Sequence, residues 1–222
     1  MTLAIINGSP RGQKSNSKIL TEHFLKGYRS KNNQGNVVTS YLVGKEKMQE
    51  NLEVFKQSEQ VIIIFPLYTD CMPGMVKEFF EHLPKNNAES RKDLGFIVQS
   101  GFPEAIHSVY LGRYLKKLTQ RLGYNYLGTV IKGGVEGIQV MPASMTRKLF
   151  DSFRSLGEYY AENGSFSEAI KEKLQGSLRM SKAQQIGFKI VGLTGLPNFY
   201  WNSNLKKNGA YQRRNDKPYV AK

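Results

Sequence analysis

The chain has 222 residues, 40% of them hydrophobic, and an excess of 14 positive charges from 32 Lys/Arg against 18 Asp/Glu. That length suits one domain with a sizeable core. The single cysteine, Cys71, excludes an internal disulfide, an all-cysteine zinc site and a cysteine-ligated iron–sulfur cluster within one chain. No apolar run approaches the ~20 residues that span a bilayer, and the N-terminus reads directly into a strand rather than a signal peptide, so a cytoplasmic protein is expected. The basic excess attracts any polyanion, yet it is spread along the chain without a Lys/Arg block, and no nucleic-acid partner is expected.

The first element is a short apolar run, Leu3-Ala4-Ile5-Ile6, read as a strand. It breaks into a polar loop, Gly8-Ser9-Pro10-Arg11-Gly12, and ends in Ser15-Asn16-Ser17. Leu20, Phe24 and Tyr28 follow at helical spacing, so a helix is expected over about residues 17–30. Strand, polar loop and helix start make a seat for a phosphate, because first-turn N–H groups lack partners and the helix dipole favours an anion. Three readings of the loop compete: simple capping and turn chemistry, a nucleoside-triphosphate loop, and a single-phosphate loop. The triphosphate pattern G-x-x-x-x-G-K-[ST] is nearly met by residues 8–15, but Gln13 stands where the second Gly should be. The single-phosphate reading is preferred.

Further along, residues 37–43 read as a second strand and 44–58 as a short crossover helix carrying Met48, Leu52 and Phe55. Val61-Ile62-Ile63-Ile64-Phe65 is apolar without alternation, as expected of a strand covered on both faces. A second loop, residues 66–72, leads to Pro73 at a helix start, with Val76, Phe79, Phe80 and Leu83 as its buried stripe and Pro84 as its stop. Residues 94–98 form a fourth strand, followed by a third loop over 99–104. A long helix with Ile106, Tyr110, Tyr114, Leu118 and Leu122 on one face comes next, stopped by Gly123. The fifth strand, residues 126–132, opens into a glycine-rich turn over 133–137, where turn geometry is the default role and ligand approach the second. Alternating strands and helices imply a parallel sheet with right-handed crossovers, and the unusual loops all follow strands, which gathers them on one rim.

From Pro142 the pattern is helical. Met145, Leu149, Phe153, Leu156 and Tyr160 mark one helix, and Ser165 with Glu168 and Ser181 with Gln184 read as capping boxes opening two more. Residues 141–222 hold fourteen Lys/Arg and six Asp/Glu. Their end is apolar and aromatic over 187–201, then basic at Lys206, Lys207, Arg213 and Arg214. Packing of this arm on the domain or on a second subunit is favoured over peripheral membrane contact, which needs a clear polar face.

With the rim loops in place, the chain resembles the NAD(P)H-dependent FMN reductase family of flavodoxin-like proteins. The likeness covers about residues 1–137. It rests on Gly8-Ser9-Pro10-Arg11 with Asn16-Ser17, on the run from Pro66 to Gly74, and on Ser100-Gly101-Phe102-Pro103-Glu104. The resemblance implies an α/β, three-layer flavodoxin-like sandwich with a five-stranded parallel sheet in the order 2-1-3-4-5. An FMN-binding core over 1–141 and a helical C-terminal extension over 142–222 follow. It implies that Ser9, Arg11, Asn16 and Ser17 hold the FMN phosphate, and that Pro66, Leu67, Tyr68, Thr69, Asp70, Ser100, Gly101 and Phe102 line the flavin. NAD(P)H is the implied co-substrate, a quinone, flavin, azo or nitro compound the implied acceptor, and a homodimer the implied assembly. The flavin carries the chemistry, so no catalytic side chain and no metal are expected, and His23, His82 and His107 are scattered.

Individual residues keep two readings. Tyr68 stacks on the ring or fills the sheet edge; Asp70 bonds the flavin edge or caps the helix at Pro73. Phe102 shields the flavin or packs its loop, and Cys71 is read as a small packed side chain rather than a nucleophile. Two rival functions stand beside the reductase. One is an electron carrier using the same pocket; the other is a basic module for nucleic acid or anionic membrane that has lost the flavin.

Overall fold

The computed structural model describes residues 2–44, 46–85, 92–195, 198–217 and 219–220. Five strands, β1 (Thr2–Asn7), β2 (Asn36–Tyr41), β3 (Gln60–Pro66), β4 (Asp93–Gln99) and β5 (Asn125–Lys132), form one parallel sheet in the order β2-β1-β3-β4-β5. This is the order expected from the sequence. The reversal of winding lies between β1 and β3, where parallel α/β sheets open a crevice beyond their C-terminal ends.

Helices cover both faces. α2 (Lys47–Gln57), α3 (Gly74–His82) and α4 (Ile106–Arg121) share a core with Ile63, Phe65 and Phe96, to which they contribute Phe55, Phe79 and Leu115. On the other face, α1 (Asn16–Lys31), α5 (Ala143–Asn163) and α6 (Glu168–Gln175) bury Phe24, Phe153, Tyr160 and Leu174 against Ile5, Ile62 and Ile64. Adjacent β3 residues therefore feed opposite cores, which explains the unbroken apolar run.

The chain divides into two compact units, Met1–Arg179 and Met180–Lys222. The helical extension expected over 142–222 is divided between them, with α5 and α6 in the first unit. The reason is a close helix crossing. A Cβ added at Gly157 of α5 would overlap the Phe24 carbonyl oxygen and lie 2.8 Å from the Tyr28 nitrogen. One added at Gly27 of α1 would overlap the Arg154 carbonyl oxygen. Backbone thus meets backbone at two glycines, and α5 belongs to the sandwich. α6 is capped by Ser167, whose hydroxyl accepts from the Ile170 N–H, rather than by Ser165.

The second unit holds α7 (Lys182–Leu193) and α8 (Asn198–Lys207), followed by a 3₁₀ turn at Tyr211–Arg213. The capping box of Ser181 with Gln184 opens α7 as expected. Among the described residues no helix is long and apolar enough to cross a membrane.

Candidate functional site

The loop after β1 is built around Asn7 and Ser15. Asn7 Oδ1 accepts from the Ser9 N–H at 2.9 Å, and Asn7 Nδ2 donates to Ser15 Oγ at 3.1 Å. Ser15 Oγ also accepts from the Lys18 N–H and donates to the Gly12 carbonyl, so this hydroxyl is spent on capping α1. A different inventory is left over at the helix start. The N–H groups of Asn16 and Ser17 have no acceptor among the described residues. Ser9 Oγ and Ser17 Oγ accept, from the Arg11 N–H and Gln99 Nε2 respectively, and retain their own protons to donate. Asn16 Nδ2 donates to the Val135 carbonyl at 2.9 Å, while Asn16 Oδ1 is buried with no partner among the described residues. The turn hugs its neighbours: a Cβ at Gly8 would overlap Val76 Cγ2 and reach Phe65 Cβ at 3.4 Å.

The loop after β3 contains a two-residue reversal. Tyr68 and Cys71 exchange backbone hydrogen bonds at 2.9 Å in both directions, with Thr69 at φ 49° and Asp70 at φ 58° between them. Both are left-handed, the geometry of a tight hairpin turn that Asn-Gly normally supplies. A β-branched Thr there costs roughly 1–2 kcal/mol, so local strain sits on the rim of the sheet. Asp70 does not cap α3, whose N-cap is Pro73 without a side-chain bond. Cys71 is exposed, a correction to its reading as a packed side chain, because the reversal turns it outward from the sheet rim. The loop after β4 is tied to the turn after β5, since the Val135 N–H donates to Ser100 O and the Gly134 N–H to Phe102 O. Phe102 stacks on His107 with centroids 4.5 Å apart. His107 stands 3.8 Å from Asp70 and 3.9 Å from Glu104, linking the second and third loops.

These loops enclose a narrow pocket of about 60 Å³ at the C-terminal ends of β1, β3 and β4. Of the residues singled out in the sequence, Ser9, Arg11, Asn16, Pro66, Leu67, Tyr68, Ser100 and Gly101 line it. Ser17, Thr69, Asp70 and Phe102 stand outside the lining. Ser17 lies beneath it, reached through Gln99, and the other three lie on the exposed rim.

Two lining residues escaped the sequence reading. Gln99 ends β4 and is buried, and Glu136 lies in the turn after β5 with its carboxylate 3.5 Å from Arg11 Nη1. The glycines of that turn, 133, 134 and 137, were the available signal. A much larger cavity, about 690 Å³, lies between α5, α6 and the end of β5 around Lys132, Met145 and Lys148. Burial there lowers the Lys132 pKa. It lacks the strand-end loops of the β1/β3 crevice, so the smaller pocket is the candidate site. Among the described residues no group of His, Cys, Asp or Glu has the disposition of a metal site.

Comparison with known proteins agrees with this fold. Solved structures align at low identity. An FMN-dependent NADH-azoreductase from Bacillus anthracis, in complex with FMN, is 18% identical with a TM-score of 0.54, over 72% of this chain and 100% of its own. An NADPH-quinone reductase from P. pentosaceus is 18% identical with a TM-score of 0.53, over 73% of this chain and 99% of its own. An NAD(P)H:quinone oxidoreductase from Methanothermobacter marburgensis is 15% identical with a TM-score of 0.51, over 71% and 94%. At this identity these likenesses speak for the fold. Comparison with curated proteins finds no match. Residues 1–149 match the sequence profile of a family described by its flavodoxin-like fold, and the chain belongs to that family.

Proposed function

We propose that the chain is an FMN-dependent oxidoreductase that takes electrons from NAD(P)H and passes them to a small acceptor. The observation that carries this reading is the convergence of three strand-end loops on one pocket whose floor is the start of α1. Its donor set suits a phosphate monoester. Two unpaired helical N–H groups, the Ser9 hydroxyl and the Arg11 guanidinium are all neutral or positive. Glu136 beside Arg11 offsets that charge, which suits one phosphate better than a chain of them. A mononucleotide also meets the orphaned Asn16 Oδ1, because a ribityl hydroxyl is the donor that atom lacks. The triphosphate reading fares worse, since Gln13 and Lys14 sit exposed in a 3₁₀ turn.

The small pocket volume supports a reading in which the remainder of the ligand lies outside. About 60 Å³ holds a phosphate and adjoining chain, and leaves a ring system against the half-exposed Tyr68, Pro66 and Gly101. The N–H groups of Thr69, Asp70, Gly101 and Phe102 have no acceptor among the described residues and supply neutral donors along that rim. FMN held there would supply two-electron redox chemistry between reduced nicotinamide and the acceptor. The chain's own residues bind it, orient it and present donors where charge accumulates. An acceptor of the quinone or azo class is supported by the activities named for the structural neighbours.

Anaerobic stopped-flow mixing of the FMN-loaded chain with NADH and NADPH tests the proposal. Bleaching of the flavin at a rate that saturates with nicotinamide is the expected result. A flavin that binds but is not reduced would make the chain an electron carrier instead.

A further inference from the structure

We propose that the second unit, Met180–Lys222, docks the chain on an anionic phospholipid surface. The unit is short of anything to bury its apolar side chains. Every residue of α7 is exposed, although half of them are apolar. Ile186, Phe188, Ile190 and Leu193 are 58%, 59%, 60% and 88% exposed, and Phe199 and Trp201 of α8 are 75% and 60% exposed. A helix of this composition that contributes nothing to a core has its partner elsewhere.

Charge identifies that partner. Residues 180–222 contain eight Lys/Arg against one Asp/Glu, half of the whole chain's excess of 14. In α7 the two kinds of residue are sorted except at Phe188, which falls on the polar side between Gln184 and Gln185. Lys182, Gln185 and Lys189 recur at i, i+3 and i+7 as one stripe, and Ile186, Ile190 and Leu193 recur at i, i+4 and i+7 beside it. Lysines flanking an exposed apolar stripe, with aromatic residues nearby, are what a helix needs to lie in the headgroup region of an acidic leaflet. A second copy of this chain is a poorer occupant, because two units of the same sign repel and the remaining 179 residues are net positive as well. Nucleic acid would use the Lys and Arg but leaves exposed Ile, Leu and Val without a role. The family match, residues 1–149, ends before this unit begins.

Trp201, the only tryptophan, lies in this unit and reports on it directly. The full-length chain is mixed with phosphatidylcholine vesicles with and without phosphatidylglycerol. Co-sedimentation and a blue shift of Trp201 emission are expected with the anionic vesicles, and little of either with the zwitterionic ones. Raising the ionic strength should weaken the binding. The pair Lys206→Glu and Lys207→Glu should lower affinity at least about tenfold. Ile186→Ser with Ile190→Ser should abolish the blue shift while far-ultraviolet circular dichroism stays unchanged. Three results would overturn the proposal: no association with anionic vesicles, a blue shift without vesicles accompanied by doubling of the mass, or binding to duplex DNA that the isoleucine substitutions leave intact.

Discussion

Gly157→Ala isolates the contact that joins α5 to the sandwich. By helix propensity alone the substitution should stabilise an exposed α5 by about 1 kcal/mol. Here the added Cβ overlaps the Phe24 carbonyl oxygen and lies 2.8 Å from the Tyr28 nitrogen and 2.9 Å from the Phe24 carbonyl carbon. Ordinary contact is about 3.5–4 Å, so the helices must part by about 1 Å, which forfeits a quarter to a half of the attraction at each contact they share. Those contacts include the buried ring of Tyr160 on α5, whose centroid lies 5.7 Å from that of Phe24 and 6.4 Å from that of Tyr28 on α1. Overpacking of this kind costs about 1–3 kcal/mol and occasionally more, and the lost ring contacts add to it, so a net loss of about 2–4 kcal/mol is expected after the propensity gain. Urea unfolding followed by far-ultraviolet circular dichroism measures it; Trp201 lies outside the first unit and would not report on it. Gly187→Ala in α7 is the control, since nothing lies within 4 Å of its added Cβ, and it should be neutral or slightly stabilising. A Gly157→Ala variant as stable as the parent would refute the close crossing and detach α5 from the fold.

Arg11→Ala should weaken FMN binding by about 1–2 kcal/mol, and Glu136→Gln should tighten it by removing a carboxylate from beside the phosphate seat, both read by flavin fluorescence titration; opposite signs would place the phosphate elsewhere. Thr69→Asn should raise the stability of the flavin-free chain by about 1 kcal/mol, because Asn tolerates the left-handed backbone that a β-branched residue resists; a lowered melting temperature would show the turn is unstrained. His23 stacks on Phe150 with centroids 3.9 Å apart, and burial, aided by Lys26 and Arg154, lowers its pKa. The unfolded chain therefore binds the proton more readily, and stability falls as pH drops through about 6.5. His23→Phe keeps the stack and should flatten that slope in urea midpoints measured on either side of it. An unchanged slope would assign the acid sensitivity to other groups.

The sheet was legible because its signals are local and strong. The unbroken apolar run of β3 and the alternation of strand and helix dictate a covered parallel sheet, and each unusual loop follows a strand. The loop after β1 was legible for the same reason, and its Ser9 and Asn16 line the candidate pocket. What escaped were pairings between distant segments. Glu136 faces Arg11 only after five strands have been laid side by side, and Gln99 opens the third loop one place before the residues that carry the resemblance. Gly157 was not singled out, because only the fold brings it to a backbone crossing with α1. Thr69 and Asp70 gave no hint of left-handed backbone, because the turn overrides their preferences.

The central claim is that a flavin mononucleotide is held by its phosphate at the start of α1. Dissociation constants of the purified chain for FMN and for riboflavin, which lacks only the phosphate, test it most directly. FMN should bind at least about a hundredfold more tightly, with near-ultraviolet and blue absorption that stays with the protein through gel filtration. Equal affinity for the two, or no uptake of either, would contradict it.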